Sequence, residues 1–140
     1  MSSIKINGAK KKFFNIKHVS QKLIDFAREE GFKIQRLEYN FVDSEKMFSL
    51  NKDFLNHDTD TDVITFDYSE SKTIVAEVFI SREMMIKNAS EHTQDIENEA
   101  LRLFSHGLLH CMGYNDKTNR DKAKMREKED QFIFAVSRET

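Results

Sequence analysis

FSHGLLHCMGYNDK, residues 104–117, is the stretch from which the rest of this chain is best read. His106 and His110 stand four apart, a spacing that stacks both imidazoles on one face of an α-helix, one turn apart, where they can grip one metal ion. Gly113 follows three residues later, where a helix commonly ends because glycine accepts a left-handed backbone. Asp116 lies three residues past that glycine, and a turn there brings its carboxylate to a third coordination position. The pattern His-x3-His-x2-Gly-x2-Asp supplies three ligands and leaves a fourth position open, which is the arrangement of a catalytic zinc site. Zinc peptidases carry a glutamate base directly after the first histidine; here that residue is Gly107. A glycine inside a helix costs about 1 kcal/mol relative to alanine. Close approach of another backbone or of substrate is the expected compensation.

Outward from the motif, only Arg102, Ser105, Gly107 and the histidines interrupt an apolar run from Ala100 to Met112. A helix apolar nearly all round belongs in the middle of a domain. Thr93, followed by Asp95 and Glu97, is expected to open it, and Ser81 to cap a preceding helix reaching about His92. Upstream, Thr73 to Ile80 (TIVAEVFI) is apolar on both faces apart from Glu77, so it should be an inner strand. Thr61 to Phe66 is a shorter strand, preceded by the polar loop NHDTDTD. Ile34 to Val42 alternates, with Leu37, Tyr39 and Phe41 on the buried side. Ser44 is expected to cap a helix reaching about Leu55. Ile16, Val19, Leu23, Phe26 and Ala27 recur at helical spacing before the stop at Gly31, and Ile4 to Asn7 reads as a short strand. The charged segment after Asp116 reads as a last helix with Met125, Phe132 and Val136 inward. The expected fold is α+β: residues 1–140 as a single domain, with a small mixed sheet of three to four strands packed with helices around a central buried helix that carries the metal ligands.

The 140 residues allow one domain with one core, and no proline, repeat or low-complexity linker marks a boundary. No segment has the apolar length of a membrane span, and the first residues lack the apolar core of a secretory signal. A single cysteine, Cys111, excludes an internal disulfide and suits a reducing cytoplasm. Cys111 follows His110 directly, so on a helix it faces away from the metal and reads as a small buried hydrophobe. The formal net charge of −2 does not advertise nucleic-acid binding, so any such surface must be a local basic patch. Lys10 to Lys12 is one concentration of positive charge, and a solvated turn is its plainer explanation.

Three stretches together resemble the YbeY family of bacterial metal-dependent endoribonucleases, which act in rRNA maturation and ribosome quality control. HGLLHCMGYND is similar to that family's His-Gly-x-Leu-His-Leu-x-Gly-Tyr signature, Gly107 included. LNKDFLNHDTDTDVITF resembles its Leu-Asn, aromatic, Thr-Asp-Val-Leu-Ser-Phe segment, and AEVFIS its Gly-Asp-Ile-x-Ile-Ser strand. The resemblance covers about Leu37 to Val136. It implies phosphodiester hydrolysis of single-stranded rRNA precursors by metal-activated water, with RNA and the ribosome as partners and neither DNA nor membrane expected. It also implies one zinc ion, with manganese or another divalent metal as the alternative.

Residue by residue, His106 and His110 match the family's first two metal ligands, and Asp116 stands where its third, most often a histidine, is found. An anionic oxygen ligand makes the ion a weaker Lewis acid and moves the site toward harder metals. The family's arginine after the aromatic of the second stretch is Leu55 here, so another group must supply positive charge to a phosphodiester transition state. Arg102, one turn before His106, is the first candidate for a catalytic role, with His57, Lys117 and Arg82 behind it. Glu77 replaces the aspartate of the Gly-Asp pair; it would hydrogen-bond a ligand histidine or orient the attacking water, unless it is merely a carboxylate at a sheet edge. Two other functions fit the ligand spacing. One is a metzincin-like peptidase or other small metallohydrolase, against which Gly107 argues. The other is a non-catalytic, ribosome-associated factor with a structural metal.

Overall fold

The computed structural model describes residues 2–8, 15–55 and 61–138. Four strands and five helices follow one another as β1 (Ser3–Asn7), α1 (Ile16–Glu29), β2 (Lys33–Val42), α2 (Ser44–Leu55), β3 (Val63–Asp67), β4 (Thr73–Ser81), α3 (Arg82–Glu91), α4 (Ile96–Cys111) and α5 (Asn119–Arg138). The strands form one mixed sheet in the order β1-β2-β4-β3. β1, β2 and β4 run parallel, and β3 closes the edge antiparallel to β4. The expected α+β class holds, and β4 is an inner strand as its apolar faces require. No helix among the described residues is long and apolar enough to cross a membrane.

The two faces of the sheet bury different helices. Ile74, Ala76, Val78 and Ile80 of β4 join Leu37, Tyr39 and Phe41 of β2 and the apolar stripes of α1, α4 and α5 in the main core. The opposite face carries Ile64, Phe66 and Phe79 against Met47 and Leu50 of α2. In β2 a bulge between Ile34 and Arg36 shifts the alternation, so Ile34 and Leu37, an odd number apart, are both buried. Each large aliphatic side chain buried here contributes about 1.5–3 kcal/mol of transfer free energy.

α4 is tied to the sheet at its middle. Tyr39, fully buried, donates its hydroxyl hydrogen to the Phe104 carbonyl at 2.7 Å, and the two rings pack with centroids 4.6 Å apart. Gly107 explains itself in the same layer: a Cβ there would stand 3.1 Å from both Val78 methyls. The missing side chain lets α4 lie close on β4, so the compensation for glycine in this helix is close approach to the sheet.

Three helix boundaries differ from expectation in their chemistry. Asp43, not Ser44, caps α2, its carboxylate accepting from the Lys46 N–H at 2.8 Å. Thr93 does not open α4; it closes α3 in the left-handed region at φ 54°, where the Gln94 N–H reaches the Ala89 carbonyl at 2.8 Å. Asp95 then caps α4. Ser81 caps α3 as expected, accepting from the Met84 N–H. β3 begins at Val63, with Thr61 and Asp62 ahead of it. The basic run Lys10 to Lys12, most of the polar loop before β3, and His57 lie outside the described residues.

Candidate metal centre

α4 ends in a turn built by its glycine. Gly113 sits at φ 98°, the Tyr114 N–H bonds the Leu109 carbonyl at 3.0 Å, and the Gly113 N–H bonds the His110 carbonyl at 3.1 Å. These two bonds make the Schellman closure that reverses the chain. Tyr114 anchors the reversed segment by donating its hydroxyl to Glu30 Oε1 at 2.6 Å, and Lys128 holds the other Glu30 oxygen at 3.2 Å. The reversal carries Asp116 back over the last turns of α4.

There the three sequence-derived ligands converge. His106, His110 and Asp116 each offer one donor atom, and the three atoms lie within 4.8 Å of one another. The two Nε2 atoms are 3.0 Å apart, and His106 Nε2 is 3.6 Å from Asp116 Oδ2. Donors bound tetrahedrally to one zinc ion stand about 3.3–3.5 Å from each other, so the set fits a single ion with a free position. The histidines are partly buried, while the Asp116 side chain is 47% exposed.

Electrostatics prepare the two rings differently. Burial alone would lower the His106 pKa; a hydrogen bond to Glu129 and its charge outweigh burial, with Asp116 and Asp62 adding to them, and raise it. His110 is pushed down, first by burial and then by neighbouring His106. Glu129 Oε2 lies 2.7 Å from His106 Nδ1. A carboxylate can only accept, so Nδ1 carries the hydrogen, and in the neutral ring Nε2 keeps its lone pair for a metal. The Cys111 thiol, buried and beside Asp67, is pushed up to about 12 and belongs to the packing, not the ligand set.

Arg102 comes to the centre, but already partnered. Its guanidinium donates to Glu129 Oε1 at 3.0 Å and to Asp130 Oδ1 at 2.7 Å. Burial works against its charge, and these two partners more than restore it. It therefore orients Glu129, which in turn orients His106. Glu77 does not reach the site. It pairs with Phe66 across β3–β4, on the face that packs against α2, whereas its neighbour Val78 touches Gly107 on the other. Strand alternation sends it away from the histidines; its nearest polar partner is the Tyr68 hydroxyl at 3.5 Å. Arg82 lies beside Gly8, and Lys117 is exposed just past Asp116.

A cleft of about 450 Å³ runs from His106 and Asp116 between α3, α4 and α5. A second hollow of about 380 Å³ opens on the β3 side of the same three ligands. The cleft carries Asp62, Glu99, Asp116 and Glu129 against Arg102, Lys122 and Arg126, so the expected basic patch is absent from this lining. Lys122 and Arg126, one helical turn apart on α5, are exposed and form no ion pair among the described residues. Glu129 is the residue missed from sequence. The signal was there: Met125, Glu129, Phe132 and Val136 repeat at spacings of four, three and four, so a carboxylate occupies the buried seam of α5.

Removing the Tyr114 hydroxyl should loosen the turn that presents Asp116. Tyr114→Phe is expected to weaken zinc binding about threefold, measured by competition with a chromophoric chelator. Wild-type affinity in that variant would mean that Gly113 and the backbone hold Asp116 unaided.

The endoribonuclease YbeY family model matches residues 3–137. The endoribonuclease YbeY of Cytophaga hutchinsonii is 44% identical over 108 residues, 76% of each chain. That of Flavobacterium psychrophilum is 39% identical over 118 residues, spanning 84% of this chain and 81% of its own. A solution structure of a Thermotoga maritima protein superposes with a TM-score of 0.69 at 26% identity, over 96% of this chain and 89% of that one. With a family match running through the whole sheet, the ligand helix and α5, this chain belongs to the YbeY family of endoribonucleases.

Proposed function

We propose that this chain is a metal-dependent endoribonuclease that hydrolyses phosphodiester bonds in single-stranded RNA, with His106, His110 and Asp116 holding one divalent ion. The observation that carries this reading is the convergence of three donor atoms at the mouth of a cleft, in a chain of this family. Two imidazoles and one carboxylate favour zinc, with manganese as the harder alternative. When bound, the ion supplies Lewis acidity to water and to the phosphodiester. The chain does the rest. Glu129 fixes the ring plane and tautomer of His106, Arg102 fixes Glu129, and the Gly113 turn with Tyr114 sets Asp116. Ribosomal RNA precursors are the proposed substrates, at the ribosome and in the cytoplasm.

The charge that the family arginine would bring to the position of Leu55 is assigned to Lys122 and Arg126. Arg102 lines the same cleft but is committed to Glu129 and Asp130; outside the lining, Lys128 is held by Glu30, Lys124 lies over the Tyr114 ring, and Lys117 is exposed beside Asp116. Each phosphate contact on a single strand contributes about 0.7 to the slope of log affinity against log salt. Replacing both residues by alanine should lower that slope by about 1.4, read by fluorescence anisotropy on a single-stranded RNA. An unchanged slope would take both out of the RNA path.

Glu129 does not serve as a peptidase base. Both its oxygens are engaged, and it meets His106 on the ring nitrogen away from Nε2. Incubating the metal-loaded protein with RNA and with casein separates the two chemistries: RNA cleaved and casein intact supports the proposal, and the reverse overturns it.

A further inference from the structure

Glu99 lies on α4 seven residues before His106, which at about 100° per residue puts it on the same face, about 10 Å along the helix. It is 5% exposed and lines the same cleft as His106. Its side chain takes part in no hydrogen bond or ion pair among the described residues. Burial raises its pKa, and Arg102, which pulls it back, is committed to Glu129 and Asp130. No fully buried side-chain polar atom among the described residues lacks a partner, so the Glu99 oxygens, which have none, open onto the cleft as free acceptors. A ligand that brought donors would pair with them. Val63, Leu103 and Met125 offer apolar contact among the charged residues of the same cleft, and its volume of about 450 Å³ accommodates a base and its sugar. Asn88 gives its amide to Asp62 at 3.0 Å and does not compete for Glu99.

We propose that this cleft is a nucleobase subsite in which Glu99 recognises the Watson–Crick edge of a guanine next to the scissile phosphate; it rests on the ribonuclease reading. Proteins that select single-stranded RNA do so on such unpaired base edges. Guanine presents two adjacent donors, N1–H and N2–H, which match the two acceptor oxygens of a carboxylate. Adenine and cytosine set an acceptor ring nitrogen beside their amino group, and uracil sets its one N–H between two carbonyls. From each of these a carboxylate gains at most one hydrogen bond, with its second oxygen set against an acceptor.

The test uses metal-loaded protein and a short 2′-O-methyl oligoadenylate, its intactness checked after each measurement, carrying one central guanine, cytosine or uracil, or none. Wild type should bind the guanine strand about tenfold more tightly than the others. Glu99→Gln, whose amide donates as well as accepts, should lose that preference and bind the all-adenine strand at least as well. Equal affinity of the wild type for all four strands, or guanine preference surviving in Glu99→Gln, would overturn the subsite. So would a second equivalent of zinc bound by wild type and lost in the variant, which would assign Glu99 to a cation. Unmodified strands are scored in parallel. Guanine-selective binding with no cleavage overturns the ribonuclease reading and leaves the subsite; cleavage without base preference overturns the subsite alone.

Discussion

Alanine at His110 is expected to remove bound metal and RNA cleavage together while leaving the fold intact. The ring is only partly buried, and the helix end around it is closed by backbone bonds from Gly113 and Tyr114, so little packing depends on it. What is lost is one of three donors. The fall in metal affinity should exceed the roughly 10–100-fold that loss of an outer hydrogen-bond partner costs. An ion that contributes several kcal/mol to the transition state takes about a thousandfold in rate with it. Elemental analysis, RNA cleavage and a thermal melt on one preparation check all three parts. A His110→Ala protein that retains one ion per chain would remove His110 from the ligand set.

Glu129→Leu should show the second-largest effect, and on two quantities at once. Glu129 is 5% exposed and serves both Arg102 and His106. Leucine leaves the His106 Nδ1–H without its acceptor and Arg102 with Asp130 alone. Breaking one side of such a buried network costs about 3 kcal/mol, seen as a lower urea midpoint in metal-free protein. Zinc affinity should fall about 10–100-fold. Glu129→Gln, which can still accept from Nδ1–H, should lie between leucine and wild type in both. A leucine variant as stable and as tight as wild type would mean that His106 is oriented by α4 alone.

The ligand helix, its glycine stop and the inner strand β4 were legible because each is a local pattern: spacing of four, a left-handed residue, an unbroken apolar run. The parts that were not legible are tertiary. Nothing near His106 in sequence says that a residue 23 positions on will meet its ring; only the gap in the apolar repeat of α5 marked Glu129 as unusual. β4 was read correctly as an inner strand, but which of its faces receives α4 depends on Gly107 meeting Val78, and that choice turns Glu77 away. Arg102 was placed on the right face, yet whether its charge is free depends on α5 arriving with Glu129 and Asp130. Thr93 defeats local reading because a β-branched residue at positive φ runs against its own preference.

One titration addresses the whole account. The protein is stripped with a chelator and zinc is returned in steps, with metal occupancy and cleavage of a single-stranded RNA measured on the same samples. Cleavage should be absent from the stripped protein, rise in proportion to occupancy and saturate at one ion per chain. Full-rate cleavage by the stripped protein, or cleavage that does not follow occupancy, would contradict the claim that His106, His110 and Asp116 build the catalytic centre.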